Sequence, residues 1–93
     1  MSKESYRNRI AALRSQIVSK QEFLRKSREE KKKKMATFSN SIKNASSQSA
    51  KAALRKQKLV EQISYDNRID TYKRAIEGLR QQVLSNRESM ARL

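Results

Sequence analysis

The side chains best suited to bind another molecule lie in a basic stretch near the middle of the chain. Residues 25–34 read RKSREEKKKK. A run of this kind binds polyanions such as nucleic acid, because cations that neutralise phosphates release the counterions held there. It is also typical of the solvated outer face of a helix. The residues predicted to act in electrostatic docking are Arg28, Lys31, Lys32, Lys33 and Lys34.

Catalysis has few candidate residues. The chain contains no His and no Cys, so the commonest general base, the usual thiolate nucleophile and most zinc ligands are absent. Gly occurs once, which excludes a glycine-rich phosphate loop. Asp66 and Asp70 lie one helical turn apart, but Arg68, Lys73 and Arg74 around them are typical of ordinary ion pairs on a helix. We therefore predict a protein that is not an enzyme and that uses no metal ion or cofactor.

The composition predicts long helices around a small core. The 93 residues have a mean hydropathy of −0.99 and 35% hydrophobic side chains, which is low for a self-sufficient globular core. Pro is absent, and most of the remaining residues are good helix formers. No apolar run approaches the roughly 20 residues of a membrane-spanning helix, and the first residues lack the apolar segment of a signal peptide. We expect a cytoplasmic protein, or one exported without a cleaved signal.

Both halves of the chain carry the apolar spacing of a coiled coil. Apolar residues recur at intervals of three, four and seven, which places them on one stripe of each helix. Between Leu24 and Met35 the interval is 11 residues, so the stripe is expected to pass through Arg28 and Lys31 with a local stutter. The stripe residues predicted to pack against a partner are Ile10, Leu13, Ile17, Leu24, Ile69, Tyr72, Ile76, Leu79 and Val83.

The apolar surface is wider than one stripe in part of the second half. Leu59, Val60 and Ile63 extend it around the helix, which indicates contact with more than one neighbouring helix. Two helices packed along one stripe leave much of each stripe exposed, and such a hairpin is marginal on its own. We therefore predict that the chain completes a helical bundle with a partner or with a second copy of itself.

A break between the two halves is expected near residue 46. The segment SNSIKNASSQSA, residues 39–50, is rich in Ser and Asn, which favour caps and turns. We predict a single all-α domain over residues 1–93, an antiparallel hairpin with helices at about 2–44 and 49–92. Ser2 is a candidate N-cap of the first helix, and Ser46, Ser47 or Ser49 of the second. Because no Gly or Pro interrupts this region, one continuous helix paired with a second chain is the alternative.

The net charge of +14 points to a negatively charged partner. An acidic helical protein, nucleic acid and an anionic membrane are three candidates, and simple solvation of the helices is a fourth explanation. The aromatic residues lie mostly on the stripes, not among the basic residues where they would stack on bases. The narrow stripes without Trp disfavour a membrane surface. The leading prediction is an adaptor for a helical partner, and the alternative is a basic coiled-coil dimer that binds nucleic acid.

The segments YRNRIAALRSQI, residues 6–17, and YDNRIDTYKRAIEGLRQQV, residues 65–83, resemble the arms of helical-hairpin proteins of Gram-positive type VII secretion. These are Esx-like proteins and, in particular, the YwqH-like partners of LXG-domain toxins. The resemblance implies a non-enzymatic adaptor or chaperone that packs along a toxin's helical targeting domain. The W-x-G turn and the Y-x-x-x-[DE] export motif are both absent, so an accessory role is implied. The outline is also similar to the basic coiled-coil stalk of type III and flagellar export ATPases.

Overall fold

Two helices joined by a short connection form an all-α antiparallel hairpin. The structure is a computed structural model that describes residues 1–93. Helix α1 spans Lys3–Asn44 and helix α2 spans Gln48–Ala91. The hairpin prediction is confirmed, and the alternative of one continuous helix is wrong. The expected helix bounds, about 2–44 and 49–92, differ from the observed ones by at most one residue at each end.

Serine side chains begin both helices. The Oγ atom of Ser2 accepts a hydrogen bond from the backbone N–H of Ser5 at 3.1 Å. The Oγ atom of Ser47 accepts one from the N–H of Ala50, also at 3.1 Å. Each bond satisfies one of the amide groups that a helix leaves unpaired at its start. Ser2 is thus confirmed as the first cap, and Ser47 is the serine that caps α2.

The connection between the helices consists of residues 45–47. The N–H of Ala45 donates to the carbonyl of Ile42 at 3.3 Å, which tightens the last turn of α1. No residue has a positive φ angle. The chain therefore reverses without the left-handed residue, usually Gly, that ends many helices. This explains how a turn forms in a segment with neither Gly nor Pro.

The hairpin consists of two compact units, each built from a segment of both helices. The terminal unit comprises residues 1–24 and 71–93, and the turn unit comprises residues 25–70. In the terminal unit, Ile10 and Leu13 of α1 form a buried cluster with Val83 of α2. Ile17, Leu79 and Met90 pack against that cluster. Apolar contact between the helices thus holds this unit together.

The turn unit has a thinner and more polar core. Its buried side chains are Tyr65 and Ser27. The apolar stripe of α1 therefore passes through Ser27, whereas Arg28, which was expected on it, is exposed. Ser27 lies three residues after Leu24. Half-buried Lys31 follows four residues later, and Met35 follows after another four. The stutter is present, but the prediction that Arg28 lies on the stripe is wrong by one position.

Candidate interaction surfaces

The residues predicted to pack against a partner serve first to hold the hairpin together. The four that are buried are Ile10, Leu13, Ile76 and Val83. The five that are half-buried are Ile17, Leu24, Ile69, Tyr72 and Leu79. The ring of Tyr72 stacks on that of Phe23 across the helices, with centroids 5.8 Å apart. Most of this set is therefore committed to contacts within the chain, and a partner must find other apolar surface.

Such surface lies on α2 in the turn unit, where the usual polarity of a helix is reversed. Lys58 and Glu61 are half-buried on the inner side of the helix. Three apolar residues interleaved with them point outward, and together we call them the apolar strip. They are Leu59, Val60 and Ile63, which are 57%, 67% and 51% exposed. Adjacent exposed apolar side chains are candidates for an interaction site.

Residues of α1 flank the apolar strip and contact Lys58. The Nζ atom of Lys58 donates a hydrogen bond to the Oγ atom of Ser39 at 3.1 Å. On one side of α2, Leu59 and Ile42 line a shallow depression. On the other side, Val60 and Phe38 line a second one. The half-buried Phe38 and Ile42 therefore extend the apolar strip on both flanks.

Of the five predicted docking residues in the basic stretch, one is paired within the chain and four remain available. The Nζ atom of Lys31 lies 2.5 Å from Oδ1 of Asp66, in an ion pair between the helices. Its side chain is half-buried. The other predicted docking residues are exposed and make no ion pair in the chain; they are Arg28, Lys32, Lys33 and Lys34. The available positive charge is therefore smaller than the sequence suggests.

Most carboxylates of the turn unit also have a partner within the chain. Glu30 lies 3.7 Å from the guanidinium of Arg68, and that guanidinium also stands 5.1 Å above the ring of Tyr65. Asp66 is paired with Lys31, and Asp70 also has an interaction partner. Exposed pairs of this kind contribute about 0–1 kcal/mol each. The spacing of Asp66 and Asp70 is thus accounted for by ordinary pairing.

Further exposed apolar residues in the terminal unit were not singled out in the sequence. Val18 is 64% exposed and Leu84 is 48% exposed. Each directly follows a stripe residue, Ile17 and Val83, so the pattern that finds the stripe assigns them to the solvated side. Phe23 is also 48% exposed, and its stacking on Tyr72 covers part of its ring. In the sequence, only their position next to stripe residues indicates that the apolar surface is wider here.

The structure holds no grouping of acidic residues that could bind a metal ion. Neither helix is long and apolar enough to cross a membrane. Comparison with protein-family models, with curated proteins and with solved structures finds no match to this chain.

Proposed function

We propose that the chain is a non-enzymatic adaptor that packs against another helical protein through the apolar strip. The observation that carries this proposal is the reversed polarity of α2, where Leu59, Val60 and Ile63 point outward. An isolated hairpin gains nothing from apolar side chains on its outer face. A third helix laid over the strip would bury them, and this would also shield the thin core of the turn unit.

The size of the effect follows from the exposed surface of the strip. Burying a whole Val, Leu or Ile side chain contributes about 1.5–3 kcal/mol. Since each of the three is a little over half exposed, a partner that covers them gains roughly 1 kcal/mol per residue. Together this amounts to about 3 kcal/mol, or roughly a hundredfold in affinity. Substituting the strip should therefore weaken binding of the partner by about this factor.

The proposed partner is the helical targeting domain of a type VII secretion toxin. The resemblance of residues 6–17 and 65–83 to the YwqH-like partners supports this choice, and the net charge of +14 suits an acidic surface on the toxin. The helical hairpin is compatible with packing side by side along such a domain. A second copy of the chain is the other helical partner to be tested.

The test is affinity capture of the tagged chain from its native cells, after nuclease treatment, with identification by mass spectrometry. We expect one stoichiometric helical protein that survives the nuclease. The variant Leu59→Gln/Val60→Gln should lose it, because the contact is apolar. The control Gln81→Ala/Ser85→Ala, which changes two exposed residues of the same helix, should retain it. Capture of only a second copy would assign the strip to self-association, and equal capture by both variants would contradict its role.

A second candidate function is binding of nucleic acid. It is favoured by Arg28 and by the exposed lysines 32–34, which have no ion-pair partner in the chain. If all four contacted duplex phosphates, the logarithm of the affinity would fall with the logarithm of salt concentration at a slope of about −3 to −4. Replacing the four with Gln should then remove most of that slope. Loss of every captured partner on nuclease treatment would favour this function over the adaptor.

A further inference from the structure

Four arginines of the terminal unit lie along one groove between the helices, which we call the arginine groove. They are Arg7 and Arg14 of α1 and Arg80 and Arg87 of α2. Two depressions form the groove, and both are lined by Arg14 and Arg87. Apolar side chains line it between the arginines: Ile10, Ile17, Val83, Leu84 and Met90. Cationic groups and apolar surface therefore occur together along this groove.

None of the four arginines is neutralised within the chain. All are exposed, and none makes an ion pair or a side-chain hydrogen bond. The acidic residues of the same unit do not pair with them either; these are Glu4, Glu22, Glu77 and Glu88. The positive charges of arginines that line the same depressions repel one another. An anionic partner would relieve this repulsion.

The spacing of the arginines matches that of a coiled-coil partner. Arg7 and Arg14 are seven residues apart, as are Arg80 and Arg87, so each pair spans two helical turns, or about 10.5 Å. Each arginine follows a d position of its heptad and therefore occupies position e, where coiled coils carry charges that select a partner. Val18 and Leu84, in contrast, follow a positions. A third helix with carboxylates at the same seven-residue interval would meet both rows, and its apolar stripe would cover the groove between them.

We infer that the arginine groove binds an acidic amphipathic helix with apolar residues along one stripe and Glu or Asp flanking it. This inference rests on the proposed adaptor function and specifies where and by what chemistry a helical partner is recognised. A second copy of the chain does not fit the groove in a symmetric dimer, because its own arginines would face these four. Nucleic acid would satisfy the charges but would leave the apolar side chains between them without a partner.

The experiment measures binding of a fluorescent synthetic helix to the full chain by anisotropy, at about 50 and about 300 mM NaCl. The probe has four heptads with Leu at positions a and d and Glu at e and g, and its glutamates keep it from pairing with itself. A second probe carries Gln in place of every Glu. The test variant is Arg14→Gln/Arg87→Gln. The control, Lys26→Gln/Lys43→Gln, removes the same charge from exposed residues of the turn unit that are not among the predicted docking residues.

We expect the acidic probe to bind wild type and control equally, and to bind the arginine variant about tenfold more weakly at low salt. The Gln probe should bind weakly to all three proteins, and circular dichroism should show equal helicity in them. The inference is overturned if the acidic probe does not bind, or if both variants weaken it equally. It is also overturned if single-stranded DNA binds more tightly than the acidic probe and depends on the same arginines.

The outcome also separates this inference from the adaptor proposal. If the protein captured from cells stays bound to Arg14→Gln/Arg87→Gln but is lost from Leu59→Gln/Val60→Gln, the adaptor function stands and the groove inference falls. If the acidic probe binds in the expected way and no helical protein is captured, the adaptor proposal falls, while the groove keeps its preference for acidic helices.

Discussion

Replacing Ile76 and Val60 separately by Ala should distinguish the core of the hairpin from its interaction surface. Ile76 is 5% exposed, whereas Val60 is 67% exposed. Ile76→Ala removes three buried carbons, a loss of about 2.4 kcal/mol at roughly 0.8 kcal/mol each. The higher helix propensity of Ala returns about 0.4 kcal/mol. The variant should therefore lose about 2 kcal/mol of the free energy of unfolding.

Val60→Ala should have almost no effect on the isolated chain. It removes two carbons of which only a third of the surface is buried, so the loss is about 0.5 kcal/mol. Ala forms helix more readily than Val by a similar amount, and the two contributions offset each other. The same variant should weaken capture of the partner, because Val60 belongs to the surface that the partner would cover. Ile76→Asp would also lose the partner, but by unfolding the hairpin.

The assay is urea unfolding followed by circular dichroism at 222 nm, repeated at several protein concentrations. Ile76→Ala should lower the melting temperature by roughly 10 °C in a parallel thermal scan, and Val60→Ala should leave it unchanged. Equal destabilisation by both substitutions would contradict the assignment of Val60 to the surface, since it would mean that Val60 is buried in the free protein. If the destabilisation caused by Val60→Ala grew with protein concentration, this would show that a second copy of the chain covers the strip.

Three further variants test the interior of α2, the cap of α2 and the basic stretch. Gly78→Ala should stabilise the chain by about 0.5–1 kcal/mol in urea unfolding, because a Cβ atom there meets nothing within 4 Å and Ala favours the helix; destabilisation would show that another chain approaches this position. Ser47→Ala should cost about 1 kcal/mol in the same assay, since it removes the cap of α2, and an unchanged midpoint would contradict the capping role. Lys32→Glu/Lys33→Glu should slow association with an acidic partner at low salt and have little effect at high salt; stopped-flow rates that are equal at low salt would show that these lysines only solvate the helix.

The sequence predicts the hairpin well because one physical rule governs it over its whole length. Apolar residues at three- and four-residue intervals must share a face of a helix, and two such faces bury each other. The capping serines follow from an equally local rule, since a hydroxyl next to the first turn accepts an amide hydrogen. The shift from Arg28 to Ser27 shows the limit of the rule, because at a stutter the spacing allows either residue to face inward.

The candidate surfaces were harder to predict because they depend on how the two helices face each other. The spacing of the nine stripe residues is typical of a helix–helix interface. In the structure this interface is mainly the one between α1 and α2. Leu59, Val60 and Ile63 are apolar in the sequence, but their outward orientation follows from the way the two helices pack. In this packing Lys58 lies inward and donates a hydrogen bond to Ser39. The arginines of the groove are separated by more than 60 residues between the helices, and only the antiparallel pairing brings them together.

Photo-crosslinking in native cells shows directly whether the apolar strip contacts a helical protein. A photoreactive amino acid at position 60, within the apolar strip, is compared with the same amino acid at position 85, an exposed position of α2 in the terminal unit. We predict one nuclease-resistant adduct with a helical protein from position 60 and none from position 85. The claim that the strip packs against a helical partner would be contradicted by adducts with nucleic acid alone, by equal adducts from both positions, or by no adduct from position 60.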